Sequence, residues 1–133
     1  MAQASVLPPS ILLVDDAPVI QIMVKLVLER NGFTVDTALN GREALERMGK
    51  RDYDVVVCDL LMPVLGGLEM TSEVRAKEAT LLNVRHQSVI IMSGNSSQED
   101  IELALSTGAD DFMSKPAAPD VMIRKIRKLL RSV

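Results

Sequence analysis

Three carboxylates and one ammonium group stand just beyond apolar runs in this sequence. Asp15 and Asp16 follow Ile11–Val14, Asp59 follows Val55–Cys58, and Lys115 comes three residues after Phe112. Two like charges held side by side at a strand end resist ionising together unless a cation or hydrogen-bond donors compensate them. A positive group is therefore expected beside Asp15 and Asp16. A hydroxyl at a fourth strand end, Ser93, precedes Gly94. Three hard oxygen ligands in an incompletely enclosed site suit Mg2+, which keeps several waters and commonly bridges to a phosphate. For Asp15 and Asp16 alone, a helix cap beside a solvated neighbour would be the simpler reading. The polar groups at the other strand ends favour the cation site, because core packing does not require them.

The elements that must position these groups follow from periodicity. Apolar, β-branched runs at Ile11–Val14, Thr34–Thr37, Val55–Cys58, Ser88–Met92 and around Phe112 alternate with segments long enough for helices. This predicts βαβ units and a five-stranded parallel sheet, doubly wound, covered on both faces by five helices. In such a sheet, ligands bind beyond the carboxyl ends of the strands, where strand order reverses. Pro18 suits a first helical turn. Ile20, Met23, Val24, Val27 and Leu28 then recur at helical spacing until Asn31-Gly32, a stripe expected to face the sheet. Asn40 is expected to cap a second helix over "GREALERM". Gly66-Gly67 opens a third through Leu68 and Val74, Ser97 caps "QEDIELALSTG", and Pro119-Asp120 begins the last.

Length and composition bound the function classes. A chain of 133 residues makes one domain with a single core, with 1–10 read as a tail or linker and 11–131 as the folded domain. No apolar run approaches the ~20 residues of a membrane span, so no membrane insertion is expected. "MAQASVLPPS" lacks the basic and apolar regions of a signal peptide, and a cytoplasmic location is expected. The net charge of −3 argues against direct nucleic-acid binding, which normally goes with a strong basic excess. Cys58, the only cysteine, reads as buried core.

Taken together, "LLVDD", "VVVCDLLMPVLGG", "VIIMSG" and "DDFMSKP", in this order and spacing, resemble the receiver domain of two-component response regulators, from about Ile11 to Leu130. Each fragment is weak alone, but four in register are specific. The resemblance implies a flavodoxin-like fold with strand order 2-1-3-4-5. It implies that Asp59 accepts a phosphoryl group from a phosphohistidine of a histidine kinase or histidine phosphotransfer protein. Asp16 and Asp59 would ligate Mg2+ directly, Asp15 through a bound water, and Leu61 through its backbone carbonyl. Lys115 would pair with Asp59 and hold a phosphoryl oxygen. Ser93 would bind another such oxygen, vacating space into which Phe112 turns. Such a domain is a signalling switch that promotes its own Mg2+-dependent phosphorylation and dephosphorylation, not an enzyme acting on other substrates.

Some features depart from the commonest pattern. "VLGG" replaces the usual acid or Asn before the second glycine, and Gly66 is expected to loosen that turn. "RAKEATLLNVRHQS" reads as an extended connection, a lengthening familiar in receivers of hybrid histidine kinases. His86, within it, reads as a surface residue with no chemistry. Val19, Ile22 and Leu26 form a second apolar line on the first helix and are expected to contact the phosphodonor. The basic last helix, Arg124 to Arg131, reads as a solvated face. Its other reading is ion pairing with the acids of "SSQEDIE" in a homodimer through the fourth helix, fifth strand and fifth helix. A haloacid-dehalogenase-type enzyme would need an acid where Leu61 stands, and Asp15-Asp16 would repel the phosphate of a flavin. The remaining alternative is a non-phosphorylated pseudo-receiver working as a binding module, against which stands the full set Asp15, Asp16, Asp59, Ser93 and Lys115. With Val133 soon after the last helix, output is expected through another protein or the rest of a longer chain.

Overall fold

The computed structural model describes residues 7–94, 97–115 and 118–131. Residues 1–6 of the expected tail, and Pro116 of the "SKP" motif, lie outside the described residues. The elements run β1 (Ser10–Val14), α1 (Pro18–Arg30), β2 (Thr34–Ala38), α2 (Gly41–Lys50), β3 (Val55–Asp59), α3 (Gly67–Thr80), β4 (Ser88–Ser93), α4 (Gln98–Thr107), β5 (Asp111–Ser114) and α5 (Pro119–Arg131). The five strands form one parallel sheet in the order β2-β1-β3-β4-β5. The expected architecture is the observed one. β1 begins at Ser10, inside the segment read as tail, and Pro9 already accepts a hydrogen bond from the Thr34 amide at 2.9 Å.

Strand alternation divides the core into two layers. Ile11 and Leu13 of β1 pack with Leu28 of α1 and with Met122, Ile123 and Ile126 of α5. Leu12 and Val14 pack on the other face with Ala44 of α2, Met70 of α3 and Ala104 of α4. Both faces of β1, β3 and β4 are therefore buried, which is why these strands read as continuous apolar runs. Caps hold the helices as expected: Asn40 Oδ1 accepts from the Glu43 amide at 2.9 Å, and Ser97 Oγ from the Asp100 amide at 3.1 Å. Gly108 ends α4 at φ +124°, a conformation a β-carbon would strain.

Three expectations are corrected. The stripe assigned to the sheet-facing side of α1 is only half right. Leu28 is buried and Val24 and Val27 are partly so, but Ile20 is 39% exposed and Met23 61%. The buried line runs instead through Gln21, Val24, Val27 and Leu28, because the Gln21 carboxamide donates to backbone carbonyls at the sheet's edge. The "extended connection" is shorter than it reads, since Arg75–Thr80 are the end of α3 and only residues 81–87 link it to β4.

The third correction concerns the glycines. Gly66 does not loosen its turn; a β-carbon there would come within 2.9 Å of the Leu60 carbonyl oxygen, and one on Gly67 within 2.5 Å of the Asp59 carbonyl oxygen. Both let α3 start directly against the end of β3. His86 is exposed, as read, yet its Nε2 lies 2.7 Å from Asp110 Oδ1. Asp110 also accepts from Arg75 at 2.9 Å and from the Val89 amide at 2.8 Å, tying α3 to the α4–β5 turn.

Candidate metal and phosphoacceptor site

Register brings the chemistry together. Val14 pairs with Cys58, so the next residues, Asp15 and Asp59, stand side by side beyond β1 and at the end of β3. Asp59 pairs with Met92, and Ser93 with Ser114, so Ser93 and Lys115 follow one step further along β4 and β5. The sequence reversal between β1 and β3 falls at this point, the expected place for a ligand.

Lys115 is the positive group that the acids require. Its Nζ donates to Asp15 Oδ2 at 2.9 Å and to Asp59 Oδ2 at 3.0 Å. The resemblance implied the Asp59 contact, and the crowded Asp15-Asp16 pair called for a positive group; that one ammonium meets both needs, with its second bond to fully buried Asp15, had no local signal. Asp15 Oδ1 accepts from the Ala17 amide at 2.9 Å, so both its oxygens already have partners. Asp16 is exposed, and its carboxylate has no side-chain partner among the described residues. One oxygen from each of Asp15, Asp16 and Asp59 lies within 4.8 Å of the others. A hard cation fits this donor set: three carboxylates against one ammonium leave excess negative charge, and the exposed Asp16 leaves room for water ligands. Leu61, two residues beyond Asp59, is 77% exposed.

Electrostatics follow from the crowding. Burial raises the Asp59 carboxyl above the ordinary range, and repulsion from Asp15 and Asp16 adds to it, while Lys115 opposes with a hydrogen bond and its charge. Burial alone would lower the Lys115 ammonium, but its bonds to Asp15 and Asp59 reverse this and raise it. Cys58, buried beside Asp59, is pushed far up, mainly by desolvation, which leaves it an inert thiol.

The remaining predicted residues are placed as follows. Ser93 is buried at the end of β4, and Phe112 is buried on the face covered by α4. Val19, Ile22 and Leu26 are exposed on α1, and Ile20 and Met23 enlarge their patch. Sequence reasoning missed these two because their spacing also fits an inward stripe. Val64, in the loop after Asp59, adopts φ +76° in a tight turn closed by the Leu65 amide and the Pro63 carbonyl at 3.0 Å, an outlier for a β-branched residue.

An open doubly wound sheet with an acidic cluster and a lysine at its switch point defines a class of α/β protein that binds its ligand beyond the carboxyl ends of the strands. Comparison with known proteins narrows it: residues 11–127 match the response regulator receiver domain, and the chain belongs to that family. It is 33% identical over 124 residues to the transcriptional regulatory protein TrcR of Mycobacterium tuberculosis, covering 93% of this chain and 46% of that one. It is 35% identical over 116 residues to the CAI-1 autoinducer sensor kinase/phosphatase CqsS of Vibrio cholerae, covering 87% of this chain and 16% of that one. The response regulator TrrA of Thermotoga maritima, solved in complex with Mg(2+)-BeF, superposes with a TM-score of 0.78 at 34% identity, covering 92% of this chain and 99% of that one. The chain thus spans about half of TrcR and a small part of CqsS. No helix among the described residues is long and apolar enough to cross a membrane.

Proposed function

We propose that this domain is a phosphorylation-dependent switch in which Asp59 is the phosphoacceptor. The observation that carries the reading is Lys115 bridging Asp15 and Asp59 while Asp16 closes the acidic cluster. An Asp59 carboxylate oxygen attacks the phosphorus of a phosphohistidine, the P–N bond breaks, and its electron pair leaves with the imidazole. Bound through Asp16, Asp59, the Leu61 carbonyl and a water on Asp15, Mg2+ would supply the charge neutralisation that phosphoryl transfer needs. Lys115 moves from its resting bond with Asp59 to a phosphoryl oxygen, and Ser93 donates its hydroxyl to another. Those contacts exist only in the phosphorylated state, so they bias a two-state equilibrium. Phe112, packed on the α4 side of β5, reads the change and reshapes the surface around β4 and β5. The similarity to TrrA, whose complex contains Mg(2+)-BeF, supports the cation and the site.

The phosphodonor, a histidine kinase or histidine phosphotransfer protein, docks on Val19, Ile22 and Leu26, with Ile20 and Met23 completing the apolar face. Ile22→Glu is expected to slow transfer from such a donor at least tenfold, about 1.4 kcal/mol. Labelling by acetyl phosphate should stay within twofold. Equal loss from both donors would refute the docking role. Output runs through contact with another protein or the remainder of a longer chain, in the cytoplasm, without direct nucleic-acid contact by this domain.

A homodimer through α4, β5 and α5 would set exposed Glu99 and Glu102 against Arg124, Lys128 and Arg131. Sedimentation of the beryllofluoride-treated protein should then show a dimer that dissociates as salt is raised from 0.05 to about 0.5 M, where screening shortens to a few ångströms. A monomer at both salts would refute it.

A further inference from the structure

Asp16 is the one acid of the cluster whose side chain is exposed and without a side-chain partner among the described residues, so its direction depends on the backbone that carries it. Two peptides flank it. The one that follows is tethered, because the Ala17 amide donates to Asp15 Oδ1 at 2.9 Å. The one that precedes it contains the Asp15 carbonyl, and the oxygen of that carbonyl accepts a hydrogen bond from Gln21 Nε2 at 3.2 Å. The same Nε2 donates at 2.9 Å to the Ala38 carbonyl, which also accepts from the Asp15 amide at 3.1 Å. Gln21 is itself anchored in the first turn of α1, its amide donating to the Ala17 carbonyl at 3.0 Å.

We infer that Gln21 is a positioning residue of the metal site: its carboxamide fixes the Asp15–Asp16 peptide against the end of β2 and thereby aims the Asp16 carboxylate at Asp59. Two donors are needed because two carbonyls at the ends of β1 and β2 must be held together, and a terminal amide carries two hydrogens on one nitrogen. An apolar side chain of the same length would fill the space and leave the Asp15 carbonyl without this donor. Rotation of that peptide then moves the Asp16 Cα–Cβ bond directly, with no intervening side chain to absorb the error. A group that orients a metal ligand from behind typically changes affinity by about tenfold or more when removed.

The inference rests on the receiver reading above, and its test separates the two. Mg2+ alone is titrated into the protein and followed by the backbone amide signals of Asp16 and Asp59, since the chain has no Trp for fluorescence. Thermal stability and Asp15 amide exchange are measured in parallel. Gln21→Met, and Gln21→Asn as a polar variant whose amide falls short of both carbonyls, are each expected to raise the Mg2+ Kd about tenfold and speed exchange at Asp15. Val27→Ala, on the same buried line of α1, is expected to lower Tm while leaving Kd within twofold. A Kd unchanged within twofold in both Gln21 variants overturns the inference and leaves the metal site standing. So does a Val27→Ala variant that weakens binding as much. No Mg2+ binding by the unaltered protein overturns both the inference and the reading beneath it.

Discussion

Lys115→Met is expected to lower the stability of the metal-free protein at pH 7 by about 3–5 kcal/mol, the usual cost of leaving buried charges without their partner. The substitution keeps the aliphatic stem and removes the ammonium that bonds both Asp15 and Asp59. Asp15 is fully buried and Asp59 nearly so, which leaves water little access to compensate. The pH dependence distinguishes charge from packing. The Asp59 carboxyl, already raised by burial and by repulsion from Asp15 and Asp16, resists ionisation more strongly still in the folded state once Lys115 is gone. The penalty is then present above the unfolded value near 4 and grows as pH rises toward neutrality. Urea midpoints measured at pH 7 and near pH 4 should differ between variant and parent far more at the higher pH. An equal loss at both would mean that packing, not charge, is what Lys115 contributes.

Asp59→Asn is expected to act in the opposite direction on stability while abolishing phosphoryl acceptance. Burial, joined by repulsion from Asp15 and Asp16, outweighs Lys115 and holds the Asp59 carboxyl above its ordinary value. A group raised in this way favours the fold below its unfolded pKa, and that contribution is lost as pH rises through the folded value. Removing the charge should therefore raise Tm in metal-free buffer, by more at pH 7 than near pH 4. The same change deletes a cation ligand. Mg2+ at ten times its Kd should stabilise the parent by about 1.4 kcal/mol and the variant by much less. A variant that is less stable than its parent at pH 7 would show that the Lys115 bond dominates over burial and repulsion.

Much of this was legible in the sequence, for reasons that lie in particular residues. Strands β1, β3 and β4 are buried on both faces, so their positions appear as unbroken apolar runs, and the polar residue that ends each run stands at the carboxyl edge of the sheet where the candidate site lies. Asn40 and Ser97 announce helix starts because a short side-chain oxygen can reach an amide three residues on. Helix α1 was read half wrongly because Ile20 and Met23 fit a helical stripe as well as Gln21 does. The true line was chosen by Gln21 finding the Asp15 and Ala38 carbonyls, contacts that hydropathy counts against burial. Arg75 and Glu78 read as loop for a similar reason. Their partners, Asp110 and the Gln87 amide, come from elsewhere in the chain and are fixed only when α3 meets the α4–β5 turn and the start of β4. The Lys115 bond to Asp15 likewise spans 100 residues of sequence and exists only because five strands share one register.

The central claim is that Asp59 accepts a phosphoryl group at a Mg2+ site. Intact mass measurement after incubation with acetyl phosphate, with and without Mg2+, tests it most directly. The account predicts a single phosphoryl adduct that requires Mg2+, maps to Asp59 and is absent from Asp59→Ala. No adduct in the presence of Mg2+, or one that persists in Asp59→Ala, would contradict it.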